Sequence, residues 1–278
     1  MAEKTIHLVA QDGFKIAGSV WPATKSKCLL LWLHGYAEHR RRYGHFGNWM
    51  ADQGVTVAAI DVRGHGESDG KRGHVGRFEE YFYDLNVLIH WSRENFPKTT
   101  CLLGSHSHGG LILARYLEEG SFPRKIEAAI FSAPFVGIGM PVPDWKMTMA
   151  NSVSSFVPKL SVPTGLPPEL VSHDERIVSS YRNDPLVFKK ATTRWFTEAV
   201  KHQEIAIAKA GQIKLPTLVM QGLDDKIASV DASRRFFAGL GGKNKKWIEY
   251  PGFYHEIMNE IEKERVYKDM FAWIKKQI

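Results

Sequence analysis

Short apolar runs alternate with amphipathic stretches along this 278-residue chain, and this pattern limits its fold more than any other feature. Residues 28–33 and 55–60 are almost entirely apolar, which is typical of strands buried on both faces of a sheet. Residues 78–96 carry apolar side chains at helical spacing and stop before Pro97. Repeated strand–helix–strand units predict a parallel sheet with helices on both faces. Further strands are predicted at 5–10, 14–21, 99–103, 126–131, 217–221 and 246–250, and further helices at 43–53, 110–119 and 266–274.

The alternation is interrupted between residues 135 and 212, where prolines separate short helical patterns before a longer amphipathic stretch at 185–210. We therefore predict an α/β core formed by residues 1–134 and 213–278. Residues 135–212 are predicted to be inserted as a cap over the carboxyl edge of the sheet. The alternative is a long surface excursion without a role of its own, which is uncommon at this length in compact domains.

Composition indicates an ordinary globular protein. Hydrophobic residues make up 44% of the chain and charged residues 24%, and prolines and glycines break the longest apolar stretch. The start of the sequence lacks a signal-peptide pattern and two cysteines cannot form a disulfide framework, so we expect a cytoplasmic location. The net charge of +7 favours either solubility or transient attraction to an anionic membrane surface. No motif predicts a nucleic-acid partner.

A serine lies where one predicted strand leads into a predicted helix. The strand at 99–103 continues into Ser105-His106-Ser107-His108-Gly109, and a helical pattern follows at once. This is the setting of a nucleophile elbow, a sharp turn that exposes a serine hydroxyl above a parallel sheet. The residues two before and two after the serine must be small, which Gly109 satisfies fully and Ser105 only in part. Ser107 is the candidate nucleophile, although an isolated motif of this kind also occurs in ordinary turns.

An acid and a base for Ser107 are available after two later strands. Asp225 follows the strand at 217–221 and His255 follows the strand at 246–250, in the chain order serine, acid, histidine. Residues at the carboxyl edge of neighbouring parallel strands can converge. We therefore predict that His255 accepts the proton of Ser107 and that Asp225 fixes the tautomer of His255. Taken singly, such an aspartate is more often a turn or cap residue, and such a histidine a solvated polar residue.

An oxyanion formed at Ser107 would need two backbone N–H donors. His108 directly follows the candidate nucleophile and Tyr36 closely follows the strand at 28–33, so their N–H groups are the predicted donors. We expect His34 to have a structural role in bonding loop backbone. His106 and His108 have no third ligand at a recognised spacing, so we predict neither a metal site nor a cofactor.

Five motifs follow one another along nearly the whole chain. They are His34-Gly35-Tyr36-Ala37-Glu38-His39 with Arg42-Tyr43, Asp61-Val62-Arg63-Gly64-His65-Gly66-Glu67-Ser68, Asp184-Pro185-Leu186, Gln221-Gly222-Leu223-Asp224-Asp225 and Gly252-Phe253-Tyr254-His255. Together they resemble the monoacylglycerol lipases and bacterial lysophospholipases of the α/β-hydrolase superfamily. The resemblance is weakest between residues 141 and 168.

The resemblance implies an α/β-hydrolase fold, with a mostly parallel central sheet and an inserted helical cap. It places Ser107 as the nucleophile, Asp225 as the acid, His255 as the base, and the N–H groups of Tyr36 and His108 in the oxyanion hole. It further implies a cofactor-independent serine ester hydrolase that forms an acyl-enzyme. The implied substrate is a lipid ester with a single acyl chain, such as a monoacylglycerol or a lysophospholipid.

The resemblance also assigns Glu38 and Arg42 to a pair near the alcohol end of the pocket. There they either hold the helix after the oxyanion loop or bind polar headgroup atoms. Two positions depart from the family pattern, because Ser105 replaces a glycine and His108 replaces a common methionine. Ser105 could strain the elbow or act as a rival nucleophile, but Leu103, two residues before it, does not fit such a turn. His108 places a titratable ring beside the acyl pocket.

The sequence is also compatible with other functions. A carboxylesterase or thioesterase for shorter acyl chains would use the same residues, and a peptidase would also need an acidic group for a substrate amine. A non-catalytic hydrolase-fold protein could bind a lipid or a partner through its cap, although such proteins usually lack a triad member. One apolar stretch forms either the core of the cap or an acyl tunnel and membrane-facing lid. This stretch consists of Trp145, Met147, Met149, Val153, Phe156 and Val157.

Overall fold

A mostly parallel sheet lies at the centre of the computed structural model, which describes residues 3–140, 150 and 152–278. Its eight strands are β1 Lys4–Val9, β2 Lys15–Trp21, β3 Cys28–Leu33, β4 Val55–Ile60, β5 Thr100–His106, β6 Ala128–Ser132, β9 Thr217–Gly222 and β10 Lys245–Tyr250. The strands between β6 and β9, β7 Ser161–Pro163 and β8 Lys190–Thr192, form a separate two-stranded sheet. The order in the sheet is β1-β2-β4-β3-β5-β6-β9-β10. Strand β2 runs antiparallel to β1 and β4, and every other adjacent pair in this sheet is parallel.

Helices cover both faces of this sheet. They are α1 Gly44–Asp52, α2 Glu80–Asn95, α3 His108–Glu119, α6 Val230–Gly239 and α7 Lys263–Ile274. Two more helices, α4 Glu175–Asn183 and α5 Thr193–Lys209, lie in the segment between β6 and β9, and α5 packs against α3. Alternate residues of β3 enter different hydrophobic clusters: Leu29 and Leu31 pack with α2 and α3, whereas Leu30 and Trp32 pack with α1 and α7. Both faces of the strand are therefore buried, which explains its continuous apolar sequence.

The predicted strands and helices of the core are confirmed, with shifts at some of their ends. The largest shifts are of three residues: α7 begins at Lys263 instead of residue 266, and β5 continues to His106 instead of ending at residue 103. Its last residues pair in register with both neighbours, because Ser105 lies opposite Leu33 on β3 and His106 lies opposite Ser132 on β6. Pairing with two buried strands thus overrides the weak strand propensity of the small and polar residues.

Between β6 and β9 the described residues include β7, α4, β8 and α5. The predicted amphipathic stretch at 185–210 is only partly helical, because α5 begins at Thr193, where the Oγ1 of Thr192 accepts a hydrogen bond from the N–H of Trp195. That residues 135–212 act as a cap stays a prediction, and Trp145, Met147 and Met149 lie outside the described residues. In the part of the chain that is described, no helix is long and apolar enough to cross a membrane.

Candidate active site

Ser107 lies on a tight turn between the end of β5 and the start of α3. Its φ of 51° and ψ of −117° are strained for a residue with a side chain, as is expected at the tip of a nucleophile elbow. The turn folds back so closely that a Cβ atom on Gly109 would lie 2.6 Å from the carbonyl oxygens of Leu33 and His34. Glycine is therefore the only residue that fits at position 109 without a shift of the backbone.

Ser105 is accommodated on β5, where the family pattern has glycine. Its side chain is fully buried, and its hydroxyl donates a hydrogen bond of 3.1 Å to the carbonyl oxygen of Ile130 on β6. The neighbouring strand thus satisfies the polar group that the substitution introduces. This hydroxyl is directed at the sheet, whereas the hydroxyl of Ser107 is directed at His255.

The structure brings Ser107, Asp225 and His255 together at the carboxyl edge of the sheet. The Oγ of Ser107 is 2.8 Å from Nε2 of His255, and Nδ1 of the same ring is 2.8 Å from Oδ2 of Asp225. Asp225 follows β9 and His255 follows β10, so two neighbouring strands direct them at the elbow. All three residues are less than 9% exposed. This geometry is that of a Ser-His-Asp triad, in which a base can take the serine proton.

Four hydrogen bonds fix the carboxylate of Asp225. Its Oδ1 accepts from the N–H groups of Ile227 and Ala228 at 2.8 and 2.9 Å, and its Oδ2 accepts from Nε2 of Gln221 and from His255. Burial alone would raise the pKa of Asp225, but the charge of His255 and these donors lower it below its ordinary value. The carboxylate therefore stays ionised and can stabilise a cation on the ring of His255.

The environment of His255 favours its protonated form more than water does. Burial alone would lower the pKa of His255, but the carboxylate of Asp225 and its hydrogen bond raise it above the ordinary value of 6.5. The ring of His106 packs 4.7 Å from that of His255. Burial lowers the pKa of His106 to about 3, so this second ring is neutral and adds no competing charge.

Two N–H groups are available beside the hydroxyl of Ser107. The loop after β3 lies against the elbow, since a Cβ atom on Gly35 would be 3.2 Å from the Cβ of Ser107. The next N–H along this loop belongs to Tyr36, and the N–H of His108 is at the first position of α3. Neither N–H has a hydrogen-bond acceptor among the described residues. Such donors can bind the oxyanion that forms on an acyl group attacked by serine.

Aromatic contacts fix the side chains of both candidate oxyanion residues. The ring of Tyr36 stacks on Trp195 of α5 with centroids 3.5 Å apart, and its hydroxyl is 3.1 Å from the carbonyl oxygen of Lys190. The indole N–H of Trp195 donates to Nε2 of His108 at 3.3 Å. The ring of Tyr81 packs edge-on against the ring of His108, with centroids 5.1 Å apart. Burial lowers the pKa of His108 well below its ordinary value, so this ring stays neutral.

His34 has the structural role expected of it, because its Nε2 accepts a hydrogen bond from the N–H of Val62 and its Nδ1 lies 2.7 Å from the carbonyl oxygen of Gly35. Burial lowers its pKa to about 3, so it is neutral as well. His34 thus connects the loop after β3 to the loop after β4.

Glu38 and Arg42 lie close to the candidate triad, but their side chains are directed at protein groups. Glu38 is 2% exposed, and its Oε2 accepts a hydrogen bond of 2.6 Å from Arg42. Arg42 also forms two hydrogen bonds of 2.7 Å to Glu256, the residue after His255. Glu256 was not predicted from the sequence, where its position directly after the candidate base is the only signal for it.

One group of side chains outside this site has metal-like ligands. Glu79, Glu198 and His202 bring one ligand atom each within 4.8 Å of one another. The Nε of Arg115 donates a hydrogen bond of 3.0 Å to Nδ1 of His202, so the proton of the neutral ring is on Nε2 and faces the carboxylates. A protonated nitrogen cannot ligate a metal, and we assign no metal to this group.

Comparisons with known proteins agree with the fold and the site geometry. The family model named Hydrolase_4 and described as serine aminopeptidase, S33, matches residues 24–262. Phospholipase YtpA of Bacillus subtilis is 31% identical over 249 residues, which are 89% of this chain and 95% of that protein. The monoacylglycerol lipase of Mycolicibacterium smegmatis is 30% identical over 264 residues, which are 94% of this chain and 93% of that protein.

A solved structure agrees with these matches over the whole fold. The crystal structure of Paleococcus ferrophilus monoacylglycerol lipase superposes with a TM-score of 0.85 at 31% identity, covering 95% of this chain and 99% of that chain. The predicted α/β-hydrolase fold and the resemblance to monoacylglycerol lipases and lysophospholipases are confirmed. The chain therefore belongs to the Hydrolase_4 family of S33 serine aminopeptidase-like proteins, and it is a serine ester hydrolase.

Proposed function

We propose that this protein hydrolyses lipid esters that carry a single acyl chain, with Ser107 as the nucleophile. The observation that carries the proposal is the line of hydrogen bonds from Ser107 through His255 to Asp225. It lies beside two N–H groups that have no acceptor in the described part of the chain. The substrate class is supported by relatives named monoacylglycerol lipase and phospholipase, which match nearly the whole chain. A monoacylglycerol and a lysophospholipid both contain the required ester.

The acylation half of the reaction uses every group of the candidate site. The Oγ of Ser107 attacks the acyl carbonyl carbon while its proton moves to Nε2 of His255. Asp225 stabilises the imidazolium, and the N–H groups of Tyr36 and His108 bind the oxyanion. The tetrahedral intermediate then collapses, the ester C–O bond breaks, and His255 returns the proton to the leaving alcohol oxygen.

Deacylation repeats these steps with water as the nucleophile. His255 removes a proton from a water molecule, whose oxygen attacks the carbonyl carbon of the acyl-enzyme. The same two N–H groups hold the second oxyanion. Its collapse breaks the bond to Ser107 Oγ, which takes the proton from His255, and the fatty acid leaves. No redox step or cofactor is needed for this balance.

The family model is described as a peptidase, but the charges near the site favour an ester substrate. An aminopeptidase must bind the α-ammonium group of its substrate, for which a free carboxylate is suited. Glu38 and Glu256 are buried carboxylates next to the triad, and Arg42 already binds both. The buried carboxylate of Glu260 accepts from the N–H of Tyr254 and lies 2.9 Å from Nδ1 of His173. We therefore expect slow turnover of aminoacyl anilides and fast turnover of acyl esters.

The first test is reaction of the purified protein with a fluorophosphonate probe, followed by peptide mapping. We expect the label on Ser107, no label in Ser107→Ala, and full labelling in the matched control Ser105→Ala. Labelling that depends on Ser105 instead would refute the assignment of the nucleophile. A chain-length series of p-nitrophenyl esters and monoacylglycerols then separates a lipid hydrolase from an esterase or thioesterase for short chains. An optimum at about two to four carbons would contradict the lipid substrate.

The surface around β7 and β8 supports contact with an anionic membrane. A cleft of about 520 Å³ is lined by four cationic side chains, and none of them forms an ion pair with a described residue. Exposed apolar side chains lie nearby in sequence, including Phe156, which is 87% exposed. Cations beside exposed apolar groups suit phospholipid headgroups and the acyl chains beneath them. The cations are Lys71, Arg72, Lys189 and Lys190, and the other apolar residues are Val157, Leu160 and Val162.

Liposome co-sedimentation tests this surface. We expect stronger binding to vesicles of mixed phosphatidylcholine and phosphatidylglycerol than to phosphatidylcholine alone, and weaker binding by Phe156→Ser and by the double variant Lys189→Glu/Lys190→Glu. Val9→Ser is the matched control, because Val9 is 63% exposed on the edge strand β1. Equal binding by all variants would remove this surface from the proposal. The hydrolase assignment would stand, because the labelling of Ser107 does not depend on vesicles.

A further inference from the structure

A buried group of three charged side chains lies between the base and the oxyanion loop. Arg42 donates one hydrogen bond of 2.6 Å to Glu38 and two of 2.7 Å to Glu256. The side chains of Glu38, Arg42 and Glu256 are 3%, 9% and 6% exposed. A guanidinium shared by two carboxylates at these distances is held in a fixed, planar orientation. We call these three residues the carboxylate–arginine bridge.

One end of the bridge reaches the loop that carries a candidate oxyanion donor. The Oε1 of Glu38 accepts a hydrogen bond of 2.6 Å from the N–H of Gly35, and another of 2.6 Å from the hydroxyl of Tyr43. Gly35 directly precedes Tyr36, so the peptide plane next to the N–H of Tyr36 is held by Glu38. Burial and the charge of Glu256 raise the pKa of Glu38, whereas Arg42, Tyr43 and the N–H of Gly35 lower it. Three donors face its two oxygens, and this arrangement fits the ionised form, which only accepts.

The other end of the bridge is continuous with the base. Glu256 directly follows His255, and its own N–H donates a hydrogen bond of 2.8 Å to the carbonyl oxygen of Val171. Its Oε2 also accepts from Nδ2 of Asn259 at 2.7 Å. The backbone at His255 is thereby fixed from both sides: by Asp225 through the ring and by Glu256 through the next residue.

We infer that Glu256 is a positioning residue, which acts through Arg42 and Glu38 to hold the base and the oxyanion loop in fixed positions relative to each other. Glu256 also keeps a negative charge beside His255. This inference rests on the proposed function, because it assigns His255 as the base and Tyr36 as an oxyanion donor. It separates the two roles that the family resemblance left open for Glu38 and Arg42. Both residues hold the loop, and their side chains form hydrogen bonds to protein groups.

The charge of the bridge has a consequence of its own. Two carboxylates and one guanidinium sum to one negative charge, buried next to the ring that becomes a cation when Ser107 attacks. In a site of low dielectric constant, such a charge stabilises the imidazolium more than it would in water. Burial lowers the pKa of His255, whereas Asp225 raises it most strongly and Glu256 and Glu38 raise it further. The neutral ring of His106 faces His255 from β5, and Arg42 is the cation of the bridge.

Two substitutions separate the charge from the bridging geometry. Glu256→Gln keeps an oxygen for Arg42 but leaves one carboxylate with one guanidinium, so the bridge becomes neutral. Arg42→Lys keeps the charge but cannot form the paired hydrogen bonds to Glu256. Glu118→Gln is the matched control, because Glu118 and Arg115 form a buried ion pair near the far end of α3.

The readout is the rate of fluorophosphonate labelling of Ser107 as a function of pH, which needs the base but not the lipid substrate. We expect Glu256→Gln to shift the apparent pKa of labelling down by about 0.5 to 1 unit. We expect Arg42→Lys to leave this pKa in place and to slow labelling at the plateau about 10-fold. In ester hydrolysis both variants should lower kcat with little change in KM, as positioning residues do.

The inference is overturned if both variants match Glu118→Gln in apparent pKa and in plateau rate. If either variant fails to fold by circular dichroism, Tyr43→Phe replaces it, because this change removes only one hydrogen bond to Glu38. That variant should slow labelling at the plateau about 3-fold, and an unchanged rate would equally overturn the inference. Failure of the wild type to label at Ser107 would instead reject the proposed nucleophile. Labelling without lipid hydrolysis would reject only the substrate class.

Discussion

Replacing Asp225 by asparagine is the sharpest perturbation of the candidate triad, because the surrounding donors dictate how the amide must lie. The N–H groups of Ile227 and Ala228 both donate to Oδ1, so the oxygen of the asparagine must take that side. The new NH₂ group then faces His255 and the amide of Gln221, where Oδ2 accepted two hydrogen bonds. An N–H donor in this place cannot pair with the Nδ1–H of His255.

The ring of His255 is therefore expected to adopt its other tautomer, with Nδ1 as the acceptor and Nε2–H directed at Ser107. In that state Nε2 has no lone pair for the serine proton. Loss of the base in such triads lowers kcat by roughly 10³ to 10⁴, which corresponds to about 4 to 5.5 kcal/mol of transition-state stabilisation. KM should change little, since no acyl contact is altered.

The assay is steady-state hydrolysis of a p-nitrophenyl ester, with Asp224→Asn as the matched control. Asp224 is the adjacent residue on the same turn, is exposed, and is not bound to His255. We expect Asp224→Asn to keep kcat within about twofold of the wild type. An Asp225→Asn protein within tenfold of the wild type, or an equal loss in both variants, would refute the assignment of the acid.

Three further predictions follow from the geometry around Ser107. Only neutral His255 can take the serine proton, and the pKa of His255 is raised above 6.5. The value of kcat/KM should therefore rise with pH through a midpoint above 6.5, and a midpoint below 6.5 in the pH–rate profile would contradict this. Ser105→Ala should lower the free energy of unfolding in urea by about 1 kcal/mol, because one buried hydrogen bond is lost, and the variant should still label at Ser107. A loss above about 3 kcal/mol would show that the side chain of Ser105 does more than form this hydrogen bond. Gly109→Ala should abolish labelling and lower the thermal midpoint, since its Cβ atom would meet two carbonyl oxygens at 2.6 Å; normal labelling would mean that the turn can open.

The sheet was predictable because burial on two faces leaves a strong pattern. The runs at 28–33 and 55–60 coincide with β3 and β4, since every residue of both strands is buried. The end of β5 was not predictable in the same way, because Gly104 to His106 are held by pairing with β3 and β6 and not by their own propensity. The helix start at Thr193 was missed for a similar reason, as the short strand before it depends on pairing with β7.

The candidate triad could be predicted from the elbow pattern, the strand ends and the chain order, because strand ends at one edge of a parallel sheet bring distant residues together. Only part of the bridge was expected, because the resemblance pairs Glu38 with Arg42 and gives no role to Glu256. Arg42 and Glu256 are 214 positions apart, and neither their spacing nor their residue types distinguish them from ordinary surface charges. The acceptor of Ser105 is likewise a backbone oxygen on another strand, which a sequence pattern does not reveal.

The contact between Tyr36 and Trp195 limits how far this protein can be treated as interchangeable modules. The backbone of Tyr36 carries a candidate oxyanion donor, while its ring rests on α5 and its hydroxyl reaches the carbonyl of Lys190. A chimera that receives the segment between β6 and β9 from a relative would have to supply both an indole and that carbonyl in the same places. Exchange of this segment is therefore expected to alter the rate of the chemical step, because the contacts that hold Tyr36 come from it.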